Sequence, residues 1–422
     1  MSTPVAPIAT SERIPTLDAV RGFALLGIFV MNMASFSASL FAAYGGVERN
    51  TAGLDFIAEN IRYVLFAGKF NSMFSLLFAV GFTIQLARFL EREPQRATTL
   101  YRRRIFWLLV FGALHAWLFW VGDVLHIYAL FGLALLALRR VSDRVLIGII
   151  VASLLYPAAV GLLRAMTTSP QELQFFSTYM KTLVASADPT YAQGTFLQAA
   201  RENAHMMGQI YSPLLFPRFY LSVYVTFLTT MALGLLLGRH RFFQNVASYL
   251  PLIRRVQWWA LGAGLVTGGI FAAWLSTAKN PLEPSAFKLL ASTSFGVSRV
   301  AIMIFYVSVI IRGMQNVRWR PRLEPFVLAG RMPLTNYLLQ TVIATFIFYG
   351  WGLGFYEKTG AAEEVALALV VFFAIQVPLS RFWLRRFSIG PMEYLWRVLT
   401  YGRAALSAAS DAQQRTSTGY RS

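Results

Sequence analysis

Ten apolar runs separated by connections that are alternately rich and poor in arginine constrain this chain more than any other feature. The runs lie at 21–41, 70–90, 105–121, 124–138, 145–165, 219–237, 256–275, 287–311, 333–352 and 363–380. A helix needs about 20 apolar residues to cross roughly 30 Å of hydrocarbon. Most of the runs approach that length, and 124–138 is short enough to need tilt or shielding. Composition agrees: 56% of the 422 residues are hydrophobic and only 14% charged, with a mean hydropathy of +0.53. Soluble domains carry about a quarter charged residues. A soluble enzyme, a disordered chain and a secreted module are excluded, and the expected fold is all-α, a polytopic membrane helix bundle of about ten transmembrane helices.

The arginines set the expected orientation. Arg88, Arg92, Arg96 and Arg102 to Arg104 join spans two and three, Arg139, Arg140 and Arg144 join four and five, and Arg239, Arg241, Arg254 and Arg255 join six and seven. Arg312, Arg318, Arg320 and Arg322 follow span eight, and Arg385, Arg386, Arg397 and Arg403 follow span ten. The alternate connections are poorer: Gly122–Asp123 holds none, 276–286 holds Lys279 and 353–362 only Lys358. Basic connections stay on the cytoplasmic side, so both termini are expected there. Ala38 and Ala42–Ala43 suggest a cleavable leader, but Glu12, Asp18 and the length of the first run favour a retained span. The segmentation is 1–16, a cytoplasmic lead-in; 17–165, a first bundle of about five spans; 166–218, a periplasmic connection; 219–403, a second bundle; and 404–422, a disordered tail. The 166–218 connection carries an amphipathic stretch, Phe196 to Ile210, that suits a cap, an interfacial helix or a solvated loop.

The net charge of +19 is nearly all arginine, placed between apolar runs rather than along one polar face, so nucleic acid is not the expected partner; the lipid bilayer is. With no cysteine and four histidines lacking ligand spacing, no metal site is expected.

Polar side chains inside spans are costly and therefore informative. Towards the cytoplasmic face, Asp18 and Arg21 share a helix face three residues apart. Arg331 precedes a polar stripe of Asn336 and Gln340, and Glu393 stands in Gly390-Pro391-Met392-Glu393-Tyr394. Interhelical hydrogen bonding explains Asn336 and Gln340 as well as a ligand does; the arginines suit phosphates or a carboxylate. Towards the outer face, Asp123 and His126 are three apart, so a carboxylate can orient an imidazole as in a general base. Helix capping by Asp123 is the plainer alternative. His115, read about ten residues into its span, is expected near the bilayer midplane, with Lys69 at a similar depth to Asp123 and His126. Asn32 and Arg299 are the deepest single polar residues.

Leu17-Asp18-Ala19-Val20-Arg21-Gly22-Phe23-Ala24-Leu25-Leu26-Gly27-Ile28 with Asn32, Gly68-Lys69-Phe70, Gly122-Asp123-Val124-Leu125-His126-Ile127-Tyr128-Ala129-Leu130, Gly330-Arg331-Met332-Pro333-Leu334-Thr335-Asn336-Tyr337-Leu338-Leu339-Gln340 and Gly390-Pro391-Met392-Glu393-Tyr394-Leu395-Trp396-Arg397 occur in that order. Together they resemble the YeiB-like family of bacterial inner-membrane proteins, whose C-terminal half is a domain of unknown function, number 418. The family is in turn distantly similar to transmembrane acyltransferases. There an arginine, ten residues and a histidine open the first span; here Arg21 is followed at that distance by Asn32, which cannot act as a base. That resemblance implies acyl-CoA as the possible donor, with phosphates near Arg21 and Arg331, the thioester near Asn32 and Asn336, and Asn32 or Lys69 as oxyanion donors. His126, oriented by Asp123, or else His115, would serve as base towards a small-molecule or envelope-glycan acceptor. The alternative expectation is a small-metabolite transporter, with Pro333 and Pro378 permitting bent helices; a scaffold or sensor without turnover is the third.

Overall fold

The computed structural model describes residues 13–41, 52–278 and 285–402, and the tail beyond 403 expected to be disordered lies outside them. Among these residues the chain is helical, with no strand. In order, the helices are α1 (Pro15–Ser37), α2 (Gly53–Ile61), α3 (Lys69–Arg92), α4 (Ala97–Leu118), α5 (Leu125–Leu138), α6 (Asp143–Thr167), α7 (Pro170–Gln193) and α8 (Phe196–Ile210). They continue as α9 (Leu221–Arg239), α10 (Val246–Thr277), α11 (Ala286–Gln315), α12 (Glu324–Gly330), α13 (Pro333–Phe348), α14 (Ala361–Val370), α15 (Val377–Leu384) and α16 (Pro391–Tyr401). Among the described residues seven helical segments are long and apolar enough to cross a membrane, and α5 and α13 are shorter apolar helices. Apolar on all sides, such helices must bury their backbone polar groups internally, and the result is a polytopic helical bundle.

Helix α1 is its hub. It is apolar around its whole circumference from Gly22 to Met31, 67% of its most hydrophobic window is buried, and it packs against α3, α11, α12, α13 and α14. Helices α6 and α10 lie at the periphery, only 11% and 17% buried, with Leu163, Trp258 and Trp259 turned outwards. An apolar exterior of this extent suits lipid rather than water.

Two local readings change. Helix α4 begins at Ala97, eight residues before the apolar run, because Arg102 to Arg104 interrupt the apolar pattern without interrupting the helix. His115 therefore sits about 27 Å along α4, in its last turn and level with Asp123, not near the middle of a span. The 166–218 connection is largely helical: α7 starts on the Ser169 cap with Pro170, and Thr195 and Gln198 form a capping box opening α8 at Phe196–Ile210. Gly68, at φ +73°, turns the chain between a π-helical turn (Arg62–Phe66) and α3.

At the end of α1 opposite Asp18, the buried Glu364 of α14 accepts from Ser37 and, at 2.7 Å, from Arg62, which also meets Glu59. Removing the Glu364 charge leaves the buried Arg62 with Glu59 alone. Glu364→Gln is expected to cost about 1–3 kcal/mol, read as a lower unfolding midpoint in detergent, with Glu364→Asp intermediate.

Candidate functional site

The buried Asp123 lies in the turn between α4 and α5, where it holds two imidazoles. His115 Nδ1 is 2.9 Å from Oδ1, and His126 Nδ1 is 2.8 Å from Oδ2, which also takes the His126 backbone N–H at 3.1 Å. The Tyr337 hydroxyl donates to Oδ1 at 3.4 Å. Burial alone would raise the Asp123 carboxyl, but the hydrogen bonds from the two histidines outweigh it and hold the group below the usual range. A charged carboxylate only accepts, so both rings turn a protonated Nδ1 to it, and each ring in its neutral form then presents Nε2 as a lone pair. His126 Nε2 then accepts from Tyr211, whose oxygen accepts in turn from Tyr224. His115 Nε2 is buried with no hydrogen-bond partner among the described residues. Gly112 of α4 makes the approach possible, since a Cβ there would fall 2.3 Å from the His126 nitrogen and 2.9 Å from Asp123 Oδ2. The carboxylate thus accepts the His126 N–H at the start of α5, as a capping group does, and hydrogen-bonds two imidazoles at once.

A cavity of about 310 Å³ runs through the bundle between α1, α3, α4, α5, α13 and α16. Its mouth carries Arg13, Arg21, Arg104, Arg331 and Arg397 against two carboxylates, Asp18 and Glu393. From Gln85 to Phe74 it follows α3 for about 16 Å, becoming apolar as it deepens. Its inner wall includes Val124, Leu125 and Tyr337, which adjoin the Asp123 cluster. Asp18 accepts from Arg21 at 3.0 Å. Trp396 lies under the Arg104 guanidinium at 3.4 Å and donates its indole N–H to the Arg104 carbonyl. Glu393 accepts from the Leu334 and Thr335 N–H groups and the Thr335 hydroxyl, closing the start of α13; burial nevertheless lifts its carboxyl above the ordinary value. Arg397 is pushed down to about 10, first by burial and then by the charges of Arg104 and Arg13. Arginines crowded in this way favour an anion between them.

The other expected residues separate from these two regions. Asn336 donates to the Ala329 carbonyl and to Ser380, both at 3.0 Å, and Gln340 donates to Leu25 O and to Gln376. They tie α13 to α12, α1 and the α14–α15 segment, the interhelical role foreseen as their alternative. Asn32 is half-buried and lines neither the cavity nor the Asp123 cluster. Lys69 and Arg299 neighbour each other away from both, Lys69 Nζ donating to Tyr63 O at 2.9 Å and Arg299 to Thr226 O at 3.3 Å. The expectation that Lys69, Asn32 and the histidines share one hollow is therefore corrected: helix packing puts Lys69 against α11, whereas the histidines face α8 and α13. Arg13, Arg104, Arg397, Tyr211 and Tyr337 join the site without having been singled out.

The family described as "Protein of unknown function (DUF418)" matches residues 237–403. The chain is 32% identical over 411 residues to the uncharacterized protein YxaH of Bacillus subtilis, covering 94% of this chain and 96% of that protein. To the uncharacterized protein YeiB of Escherichia coli it is 30% identical over 433 residues, covering 96% and 100%. An uncharacterized 39.9 kDa protein encoded in an amylase 3' region of Bacillus acidopullulyticus is 27% identical over 94% of this chain and 96% of its own length.

Proposed function

The chain belongs to the YeiB-like family that shares the DUF418 domain, and from that premise we propose that it is an integral membrane acyltransferase. In this reading it lies in the cytoplasmic membrane with about ten spans and both termini inside, and moves an acyl group from cytoplasmic acyl-CoA to an acceptor on the outer side. One observation carries the reading: a cavity with five arginines at its mouth reaches inwards to Tyr337, whose hydroxyl touches the carboxylate that orients two imidazoles.

The arginine mouth supplies bidentate donors for the phosphates of the donor substrate, and the apolar length between Phe74, Leu77 and Leu108 accepts an acyl chain and excludes water. At the inner end an acceptor hydroxyl or amine gives its proton to His126 Nε2 through Tyr211, which passes its own proton to the ring as it receives the acceptor's. The acceptor's heteroatom forms the new bond to the thioester carbonyl carbon, the carbon–sulfur bond breaks, and the thiolate leaves and regains a proton. Asp123 stabilises the imidazolium that forms, without being protonated itself. An envelope glycan or a small molecule fits the acceptor side, where Tyr211 is 38% exposed.

Purified protein should bind coenzyme A and release free thiol from an acyl-CoA. His126→Ala should abolish turnover with coenzyme A binding intact, whereas Arg331→Ala should weaken binding about 10- to 100-fold, the worth of one charged hydrogen bond or two. Absence of both binding and thiol release ends this reading. Uptake of a metabolite into proteoliposomes without covalent change would put transport in its place.

A further inference from the structure

Lys69 and Arg299 are two cations taken almost completely out of solvent, 1% and 7% exposed. Among the described residues no carboxylate pairs with either. Lys69 opens α3 directly after Gly68; at its φ of +73°, a Cβ on residue 68 would lie 2.6 Å from Arg299 Cδ. The glycine thus lets the α3 corner close down on the arginine. Lys69 Nζ spends one N–H on Tyr63 O and lies 5.1 Å over the Phe295 ring. Arg299 makes one long hydrogen bond, to Thr226 O, and its Nε is buried with no partner among the described residues. Arg299 stands about 20 Å along α11 from its first residue, deep in an apolar segment where an uncompensated charge is most costly. Among the described residues the other buried arginine, Arg62, is matched by acid, Glu364 and Glu59. Neither Lys69 nor Arg299 lines the arginine-mouthed cavity.

We propose that Lys69 and Arg299 form a second, buried anion site that takes one carboxylate or phosphate oxyanion. The guanidinium offers its free Nε–H and the ammonium its two remaining N–H groups, a donor set that matches one oxyanion and is poorly matched by water. The site does not depend on the acyl-transfer reading. Its ligand is either a free solute or the headgroup of an anionic lipid.

The test is the unfolding midpoint of the full-length protein in detergent, carrying Arg21→Ala and Arg331→Ala so that the cavity mouth, left with Arg13, Arg104 and Arg397, is weakened as a competing anion site. Inorganic phosphate, acetate and phosphatidylglycerol are titrated separately. At least one, at a concentration about 100-fold above its Kd, should raise the midpoint by about 3 °C in a chain of 422 residues. A rise with phosphate or acetate identifies a solute site, and one with phosphatidylglycerol alone a headgroup site. Adding Lys69→Met or Arg299→Met should abolish the rise, and Arg299→Lys should keep it at higher ligand concentration. Where Arg299→Met does not fold, Lys69→Met and Arg299→Lys decide. A rise that survives Lys69→Met, or no rise with any of the three probes, overturns the proposal.

Discussion

Asp123→Asn is expected to lower acyl transfer by on the order of 10³–10⁴-fold while leaving coenzyme A binding unchanged. The reason is tautomeric. The carboxylate accepts from both Nδ1–H groups, at 2.8 and 2.9 Å, and so keeps both Nε2 atoms available. An asparagine side chain has one acceptor oxygen, and its NH₂ must face the other ring. If it faces His126, that ring takes its proton on Nε2, Tyr211 can no longer donate to it, and the base is lost. If it faces His115, His126 keeps its tautomer but loses the negative charge that supports its protonated form. Asp123→Ala goes further and leaves two buried imidazoles and the Tyr337 hydroxyl without their acceptor, at about 1–3 kcal/mol for each buried donor left unsatisfied. Turnover and thermal unfolding, measured on both variants, separate the effects: Asn should lose rate far more than stability, and Ala should lose both. Equal turnover in wild type and Asp123→Asn would remove the carboxylate from the chemistry.

What the sequence made legible here was local. Asp18 with Arg21 and Asp123 with His126 are each three residues apart, so helical spacing alone placed them in contact. Span limits were readable to within a few residues for α3, α5, α6 and α11, because apolar content changes abruptly at their ends. Helix α4 was misplaced because its first turns carry three arginines, one of which, Arg104, packs on Trp396 and faces the cavity rather than bulk water. Helix α7 has neither an apolar run nor a charge cluster to announce it; its buried residues Phe176, Met180, Leu183, Val184, Ala187 and Tyr191 recur at helical spacing within a polar segment. Tyr211 and Tyr337 were out of reach, since they meet His126 and Asp123 across 85 and 214 residues of chain. Depth in the bilayer brings polar side chains to similar levels without bringing them to one place. Lys69 and the histidines were grouped by depth, and the packing of α3 against α11 separates them.

Gly330→Ala is expected to abolish the folded protein, or to leave a species that unfolds far more readily than wild type. A Cβ on residue 330 would lie 1.8 Å from the Asp18 carbonyl oxygen and 2.7 Å from the Gly22 nitrogen, both backbone atoms of α1. A Cβ on Gly22 would meet the Phe326 carbonyl oxygen of α12 at 1.9 Å, so the contact is backbone to backbone from both sides. Close approach of this kind is what small residues permit in membrane helix packing. No rotamer change relieves such a clash, so the cost exceeds the ~1–3 kcal/mol of an ordinary overpacked side chain. Helix α1 must instead move away from α12, and it is the helix on which α3, α11, α13 and α14 also pack. Moving it also opens the arginine mouth, because Asp18 and Arg21 belong to α1 and Arg331 to the turn between α12 and α13. Gly313→Ala is the control: its Cβ would meet only the end of the Leu323 side chain, at 2.9 Å, which can rotate aside. Expression in membranes, monodispersity in detergent and unfolding midpoint should fall steeply for Gly330→Ala and Gly22→Ala and little for Gly313→Ala. Near-wild-type midpoints for both of the first two would mean that α1 and α12 are not held at backbone contact and that the mouth of the cavity is wider than described.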